Sequence, residues 1–255
     1  MNYPITEIFH SIQGEGANAG RSATFIRLAG CNLACTVTIE GKEYPCDEPL
    51  HDDANAKKQM SVADILEQVN AFGPVEVIVI TGGEPTLYDL KPLTDALNSD
   101  QVTWRHEVNR LHPLTGYVRA RGIAGLLGGV ANGPLICMET NGTLKLRGDI
   151  DFISLSPKPA RFGKGGKRIP VLDEMIEKAG EIRIVAGWDT ADEVQSKIED
   201  YFFKTSGQIF ISPLTKFPGN LLIQETAEMA VELVKSNARK GIRLSLQTHK
   251  WMQIR

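Results

Sequence analysis

The chain is poor in cysteine, with four in 255 residues. That excludes a disulfide-stapled secreted scaffold, and a chain near the upper size for one hydrophobic core has no need of staples. No apolar run reaches about 18 residues, so no membrane-spanning helix is expected. The start, Met1-Asn2-Tyr3-Pro4, lacks the basic segment and apolar stretch of a secretory signal. The expected location is therefore the cytoplasm, where thiols stay reduced. Positive charge is not in excess: 28 Lys and Arg against 31 Asp and Glu give a net charge of −3, with no general pull toward nucleic acid or an anionic membrane. Internal repeats and low-complexity tracts are also missing. What remains is ordinary globular composition, 42% hydrophobic and 23% charged, and it fits a single α/β domain over residues 1–255.

The few cysteines are unevenly placed. Cys31, Cys35 and Cys46 fall within one stretch directly after the apolar run 23–28, and Cys137 stands alone on a later apolar run. Three thiolates on one loop can hold iron or zinc, because a metal lowers the thiol pKa and sulfur is a soft donor. Three are one short of a closed tetrahedral site. The spacing leaves three readings open: a metal site with one free position, a zinc site completed by His51, or thiols used as small apolar side chains. Cys137 reads as a buried core thiol.

Strands and helices alternate along the rest. Apolar strands are expected at 24–28, 75–80, 135–138, 152–155, 181–185, 208–212 and 242–246. Helices are expected from Ser61, which forms a capping box with Asp64, and over 89–98, 170–179, 190–203 and 222–238. Residues 51–60 read as a flexible polar segment, and 117–127 as a helix. Such alternation argues for parallel strands, here an incomplete, open (βα) barrel. Polar motifs cluster at the carboxyl ends of the strands, where ligands bind in such folds. They are Thr81-Gly82-Gly83-Glu84-Pro85, Glu139-Thr140-Asn141-Gly142 and Ser156-Pro157-Lys158-Pro159. Each has a plainer reading, as a helix start, a turn and an exposed loop. Gln13-Gly14-Glu15-Gly16 reads first as a surface turn, although its two glycines would also permit a close ligand approach. Arg27, four residues before the cysteine loop, can clamp a carboxylate with its planar fork. The tail 247–255 is too polar for core and is placed to close over the carboxyl ends. His249 alone reads as structural.

Taken in order, these motifs resemble the 7-carboxy-7-deazaguanine synthase family of the radical S-adenosylmethionine (SAM) superfamily. They are joined by Glu7-Ile8-Phe9, Ser11-Ile12-Gln13-Gly14-Glu15-Gly16, Phe25-Ile26-Arg27-Leu28 and Gln247-Thr248-His249-Lys250. The resemblance runs the length of the chain and is weak in residues 36–60 and 99–134. It implies a carbon–nitrogen lyase that uses a 4Fe–4S cluster, SAM and Mg2+ to contract 6-carboxy-5,6,7,8-tetrahydropterin to 7-carboxy-7-deazaguanine with loss of ammonia, in queuosine-type biosynthesis. It implies cluster ligands Cys31, Cys35 and Cys46. SAM contacts are implied at Pro45, Cys46, Asp47, Gly83, Glu84, Glu139, Asn141, Ser156, Pro157 and Lys158. Substrate contacts are implied at Ile12, Gln13, Gly14, Glu15, Arg27 and Thr81. An electron donor such as flavodoxin and a homodimer follow from it, with no nucleic-acid or membrane partner. The chain departs from the family in two places. The family's cysteine spacing is three residues, then two; here the second gap is ten, Thr36–Pro45, and is expected to form a hairpin that returns Cys46 beside Cys35. Where the family has threonine as a magnesium ligand, this chain has Glu48, whose anionic oxygen suits a hard cation. Residues 36–45 and 99–134 are read as insertions. Two rivals remain: a glycyl-radical-activating radical SAM enzyme, and a zinc-stabilised binding module.

Overall fold

A computed structural model describes residues 1–39, 42–45, 58–105, 133–216 and 221–254. The elements in chain order are β1 (Asn2–Ile12), β2 (Ser22–Leu28), β3 (Thr36–Ile39), β4 (Lys42–Pro45), β5 (Lys58–Ser61), α1 (Val62–Phe72), β6 (Val77–Gly82), α2 (Lys91–Leu97), β7 (Leu135–Thr140) and β8 (Phe152–Leu155). They continue with α3 (Asp173–Lys178), β9 (Glu181–Ala186), α4 (Ala191–Lys204), β10 (Gln208–Pro213), β11 (Thr215–Lys216), β12 (Leu221–Leu222), α5 (Gln224–Ser236), β13 (Arg243–Leu244) and α6 (Thr248–Trp251).

Nine strands form one sheet in the order β13-β10-β9-β8-β7-β6-β2-β1-β5, and among the described residues it stays open between β13 and β5. The seven strands from β13 to β2 run parallel. They are the seven that the sequence pattern marks. Two antiparallel strands are additions to that reading. β1 pairs antiparallel with β2, and β5 pairs antiparallel with β1 through Asn2↔Ser61 and Tyr3↔Met60. The flexible segment expected over 51–60 is thus corrected at its end: 58–61 is a strand, because the free edge of β1 supplies a ladder and Met60 is buried. Residues 51–57 and the helix expected at 117–127 lie outside the described residues.

The capping boxes form as their spacing requires. Ser61 Oγ accepts from the Asp64 amide and Thr190 from that of Glu193. Leu90, Leu93 and Leu97 are buried, with Ile65, Leu66 and Val69 of α1, whereas Phe72 at the end of α1 is exposed.

The two faces of the sheet divide the work by the period-2 alternation of strands. Ile26, Ile78, Ile80, Ile136 and Met138 pack under α1 and α2. The other face is apolar at the start of the strands, with Ala23, Phe25, Val77, Val79, Leu135 and Cys137 in one cluster. Two residues further along the same face stand Arg27, Thr81 and Glu139, which line a cavity. Cys137 is buried where expected, accepting from Asn18 Nδ2 at 3.8 Å, and burial pushes its thiol well above the usual pKa.

The ten-residue gap contains the expected hairpin. β3 and β4 pair antiparallel, from Ile39↔Lys42 back to Thr36↔Pro45. Cys46, Asp47, Glu48 and His51 lie outside the described residues.

Candidate active site

A cavity of about 360 Å³ opens at the carboxyl ends of the parallel strands. Cys31 and Cys35 line it together with Ile12–Glu15, Arg27, Thr81, Gly83, Glu139, Asn141, Ser156 and Lys158. Most of the residues singled out in the sequence therefore meet in one place.

At the cysteine end, the loop after β2 is held close to the loop after β6. The Glu84 amide donates to Gly30 O at 2.8 Å, and a Cβ on Gly83 would collide with that same carbonyl. Cys31 Sγ accepts from the Leu33 amide at 3.4 Å. Burial raises the Cys31 thiol pKa, while Lys164 and Lys158 pull it down. Two cysteine sulfurs at one cavity, with an amide at one sulfur and cations nearby, form a donor set that suits a thiolate-ligated iron–sulfur cluster.

Beside them, Asn141 Oδ1 accepts from the Thr143 amide at 2.9 Å, and its Nδ2 donates to Asn32 Oδ1 at 3.1 Å. Lys158 Nζ donates to Ser156 Oγ at 2.8 Å and sits 4.1 Å above the Trp188 ring centre. Both side chains are thereby fixed at the cavity wall, and the ring adds cation–π attraction.

Glu84 follows Gly83 at the end of β6. It is fully buried, and its carboxylate accepts from Thr86 N, Thr86 Oγ1, Thr140 Oγ1 and Asn141 N at 2.6–3.0 Å. Burial pushes its pKa up against these four donors. Its side chain therefore ties the β6 loop to the end of β7 and positions Asn141.

The opposite wall is built on Arg183, a residue that the sequence reading passed over. Its guanidinium reaches Glu15 Oε2 at 2.9 Å, Glu139 Oε1 at 2.9 Å and Glu181 Oε1 at 3.4 Å. Burial alone would lower its pKa, but three carboxylates outweigh that and raise it. Glu139 also accepts from Thr81 Oγ1 at 2.7 Å and Gln13 Nε2 at 3.2 Å. Burial opposes its charge, yet Arg183, Thr81 and Gln13 hold its pKa at about 2. Glu181 goes the other way: it is more distant from Arg183 and deeply buried, and burial raises its pKa. It accepts from Ser154 Oγ at 2.5 Å and the Ala17 amide at 2.6 Å, so it anchors the glycine loop from below. Glu139, expected among the SAM contacts, is bonded to Gln13, Thr81 and Arg183. The signal for Arg183 was present: Glu181 and Arg183 alternate inside an otherwise apolar strand, so both share one face of the sheet, the face on which Arg183 lines the cavity.

The linkage for Glu139 fixes a pH window. Its pKa in the fold lies below its usual 4.5, at about 2. It therefore contributes stability above pH 4.5 that is lost as pH falls toward 2. Glu139→Gln is expected to flatten the acid limb of a thermal-stability profile in that window. An unchanged limb would mean that the charge of Glu139 is not held by Arg183.

Arg27 is not left to a ligand alone. Its Nε lies 3.0 Å from Glu7 Oε1, and its guanidinium sits 5.7 Å from the Phe9 ring centre. These contacts aim the fork. The tail closes the site as expected. Thr248 donates to Gly14 O from both its amide and Oγ1, and Gln247 Nε2 donates to Glu15 Oε1 at 2.7 Å. The His249 ring lies so close over Gly14 that a Cβ there would overlap it. Gln247, His249 and Lys250 all line the cavity.

This architecture has known counterparts. The chain is 30% identical to the 7-carboxy-7-deazaguanine synthase of Synechocystis sp., over 100% of this chain and 95% of that protein. It is 30% identical to the protein of that name from Bacteroides thetaiotaomicron, over the whole of both. The chain belongs to the 7-carboxy-7-deazaguanine synthase family. The crystal structure of QueE from Escherichia coli matches the fold with a TM-score of 0.62 and 23% identity, over 96% of this chain and 94% of that one. No family model matches the sequence. Among the described residues, no helix is long and apolar enough to cross a membrane.

Proposed function

We propose that the chain catalyses the ring contraction of 6-carboxy-5,6,7,8-tetrahydropterin to 7-carboxy-7-deazaguanine, with loss of ammonia. The observation that carries this reading is the single cavity that joins Cys31 and Cys35 to Gln13, Glu15, Arg27 and Thr81, in a chain whose family likeness spans its full length. Residues 1–255 then act as one radical SAM domain in which 36–45 and 99–134 are insertions. Cys31, Cys35 and Cys46 hold a 4Fe–4S cluster. Cys46 follows Pro45 directly, and Pro45 is the hairpin partner of Thr36, which itself follows Cys35. The eight extra residues cost little, because closure entropy grows slowly with loop length. Gly83, Asn141, Ser156 and Lys158 hold SAM, with Pro45, Cys46, Asp47 and Pro157 beside them. When bound, cluster and SAM together supply the one-electron chemistry that the side chains of the chain lack.

The chain's own groups orient the substrate and shield it. Arg27, aimed by Glu7, receives the pterin carboxylate. Glu139, kept ionised by Arg183, and Glu15, paired with the same guanidinium, offer acceptors to the donor-rich edge of the pterin, and Gln13 and Thr81 fix Glu139. Trp188, Leu33 and the tail from Gln247 to Lys250 narrow the access of water.

Arg27→Lys keeps the charge and loses both the fork and the Nε contact with Glu7. It is expected to weaken substrate binding by about 1–3 kcal/mol and to leave SAM affinity unchanged. Equal loss of both affinities would assign Arg27 to the fold. Magnesium is proposed to bind at Glu48. Substrate affinity should then fall when a chelator is added, and Glu48→Gln should reduce the response to magnesium. If neither treatment alters affinity, Glu48 is not a ligand.

Anaerobic purification tests the reading against its rivals. A brown protein with iron and sulfide, to which the tetrahydropterin binds, supports it. A colourless zinc protein would favour the binding module. An iron–sulfur protein that cleaves SAM only beside a glycyl-radical partner would favour the activase.

A further inference from the structure

Asn32 stands between Cys31 and Leu33 in the cysteine loop. Its side chain is bonded across the site to the loop after β7. Asn32 Nδ2 donates to Thr143 Oγ1 at 2.8 Å, and its Oδ1 accepts from Asn141 Nδ2 at 3.1 Å. Thr143 Oγ1 in turn donates to Asn141 Oδ1 at 2.6 Å. The three side chains thus close a ring of hydrogen bonds, and its direction has one solution. The Thr143 backbone amide, which can only donate, lies 2.9 Å from Asn141 Oδ1, so that atom is the side-chain oxygen. Asn141 Nδ2 then faces Asn32, whose facing atom must be its own oxygen. That leaves Asn32 Nδ2 for Thr143 Oγ1, and the Thr143 hydroxyl hydrogen for Asn141.

The ring joins residues 109 positions apart in the chain. Cys31 and Asn141 both line the cavity, and Asn141 and Thr143 are buried. Asn141 is otherwise committed. Its backbone amide donates to Glu84 Oε2 at 2.7 Å, and its Oδ1 already accepts two hydrogens. Among the described residues, its side chain keeps one uncommitted hydrogen, the second on Nδ2. We propose that Asn32 is a positioning residue: it sets Asn141 as a hydrogen-bond donor to an acceptor oxygen of SAM and holds that donor in register with Cys31. This rests on the function proposed above. Without Asn32, the Thr143 contacts still hold Asn141 Oδ1, but nothing holds Nδ2 and the plane of the amide can swing. An acceptor on the ligand then meets a donor that must first be ordered, and affinity falls by that cost.

The test uses the anaerobically reconstituted protein, with SAM itself as the probe. Iron per chain, thermal midpoint and the SAM dissociation constant by equilibrium dialysis are measured. The EPR spectrum of the dithionite-reduced cluster is recorded with and without SAM. The variants are Asn32→Ala, Thr143→Val, Thr143→Ser and the double variant Asn32→Ala/Thr143→Val. Asn32→Ala and Thr143→Val should each keep iron, bind SAM about tenfold more weakly and show a smaller change of the EPR spectrum on adding SAM. Thr143→Ser retains the hydroxyl and should bind SAM as wild type does. The double variant should bind no more weakly than either single one, because both changes break the same ring. Thr143→Val lies outside the cysteine loop, so it carries the test if Asn32→Ala does not retain its cluster. Wild-type SAM affinity in the folded, iron-loaded variants overturns the proposal. So do additive losses in the double variant, and so does loss of iron from Thr143→Val, which would make the ring a support of the fold alone. Turnover of the tetrahydropterin is read separately, so failure of the proposed function is distinguishable from failure of this ring.

Discussion

Cys31→Ala, Cys35→Ala and Cys46→Ala will each lose cluster iron and turnover, whereas Cys137→Ala will keep both. Cys31 and Cys35 present sulfur to one cavity, and the β3–β4 register of Thr36↔Pro45 leaves Cys46 one residue beyond the closing rung. Cys137 sits on the sheet face among Phe25, Val79 and Leu135, and burial holds it as a thiol. Iron and sulfide per chain after anaerobic reconstitution provide the measure. Retention of a full cluster in Cys46→Ala, or its loss in Cys137→Ala, would show that the hairpin does not return the third ligand.

Arg183→Met will be the most destabilising single change at the opposite wall. It leaves Glu15 and Glu139 beside each other, and near Glu181, without the cation that all three share. Removing one partner of a buried ion pair costs about 3–5 kcal/mol, and at this chain length that lowers the melting temperature by roughly 10 °C. Substrate affinity falls as well, because two neighbouring carboxylates then compete for a proton and the anionic acceptors are lost. Raising the pH should partly restore binding in Arg183→Met and not in wild type. Arg183→Lys recovers the charge but cannot span three carboxylates, so it falls between the two. A melting temperature and substrate affinity equal to wild type in Arg183→Met would remove Arg183 from the account.

The parallel part of the fold was legible because each of its strands is a short apolar run followed by a turn or helix cap. The seven marked runs are the seven parallel strands. β1 and β5 were not: Thr6, Glu7, His10 and Ser11 break the apolar run of β1, and Lys58-Gln59-Met60-Ser61 shows little apolar character and pairs with the distant Asn2–Ile5. The cysteine, glycine and Ser-Pro-Lys motifs were legible because each places special chemistry at a strand's carboxyl end. Arg183 and Trp188 were harder to see. Each is a single residue without a motif, and its role depends on partners 30 to 168 residues away, such as Glu15, Glu139 and Lys158. The hydrogen bonds of the buried Glu84 carboxylate to Thr140 and Asn141 were hidden for a related reason, since these partners lie more than fifty residues away.

The central claim is that this cavity contracts a pterin ring. The most direct test incubates the reconstituted protein with 6-carboxy-5,6,7,8-tetrahydropterin, SAM, magnesium and dithionite under anaerobic conditions, and follows the products by mass spectrometry. The account predicts 7-carboxy-7-deazaguanine and ammonia in equal amounts, dependent on SAM and abolished in Cys31→Ala. Cleavage of SAM by a fully loaded protein with the tetrahydropterin left intact would contradict it.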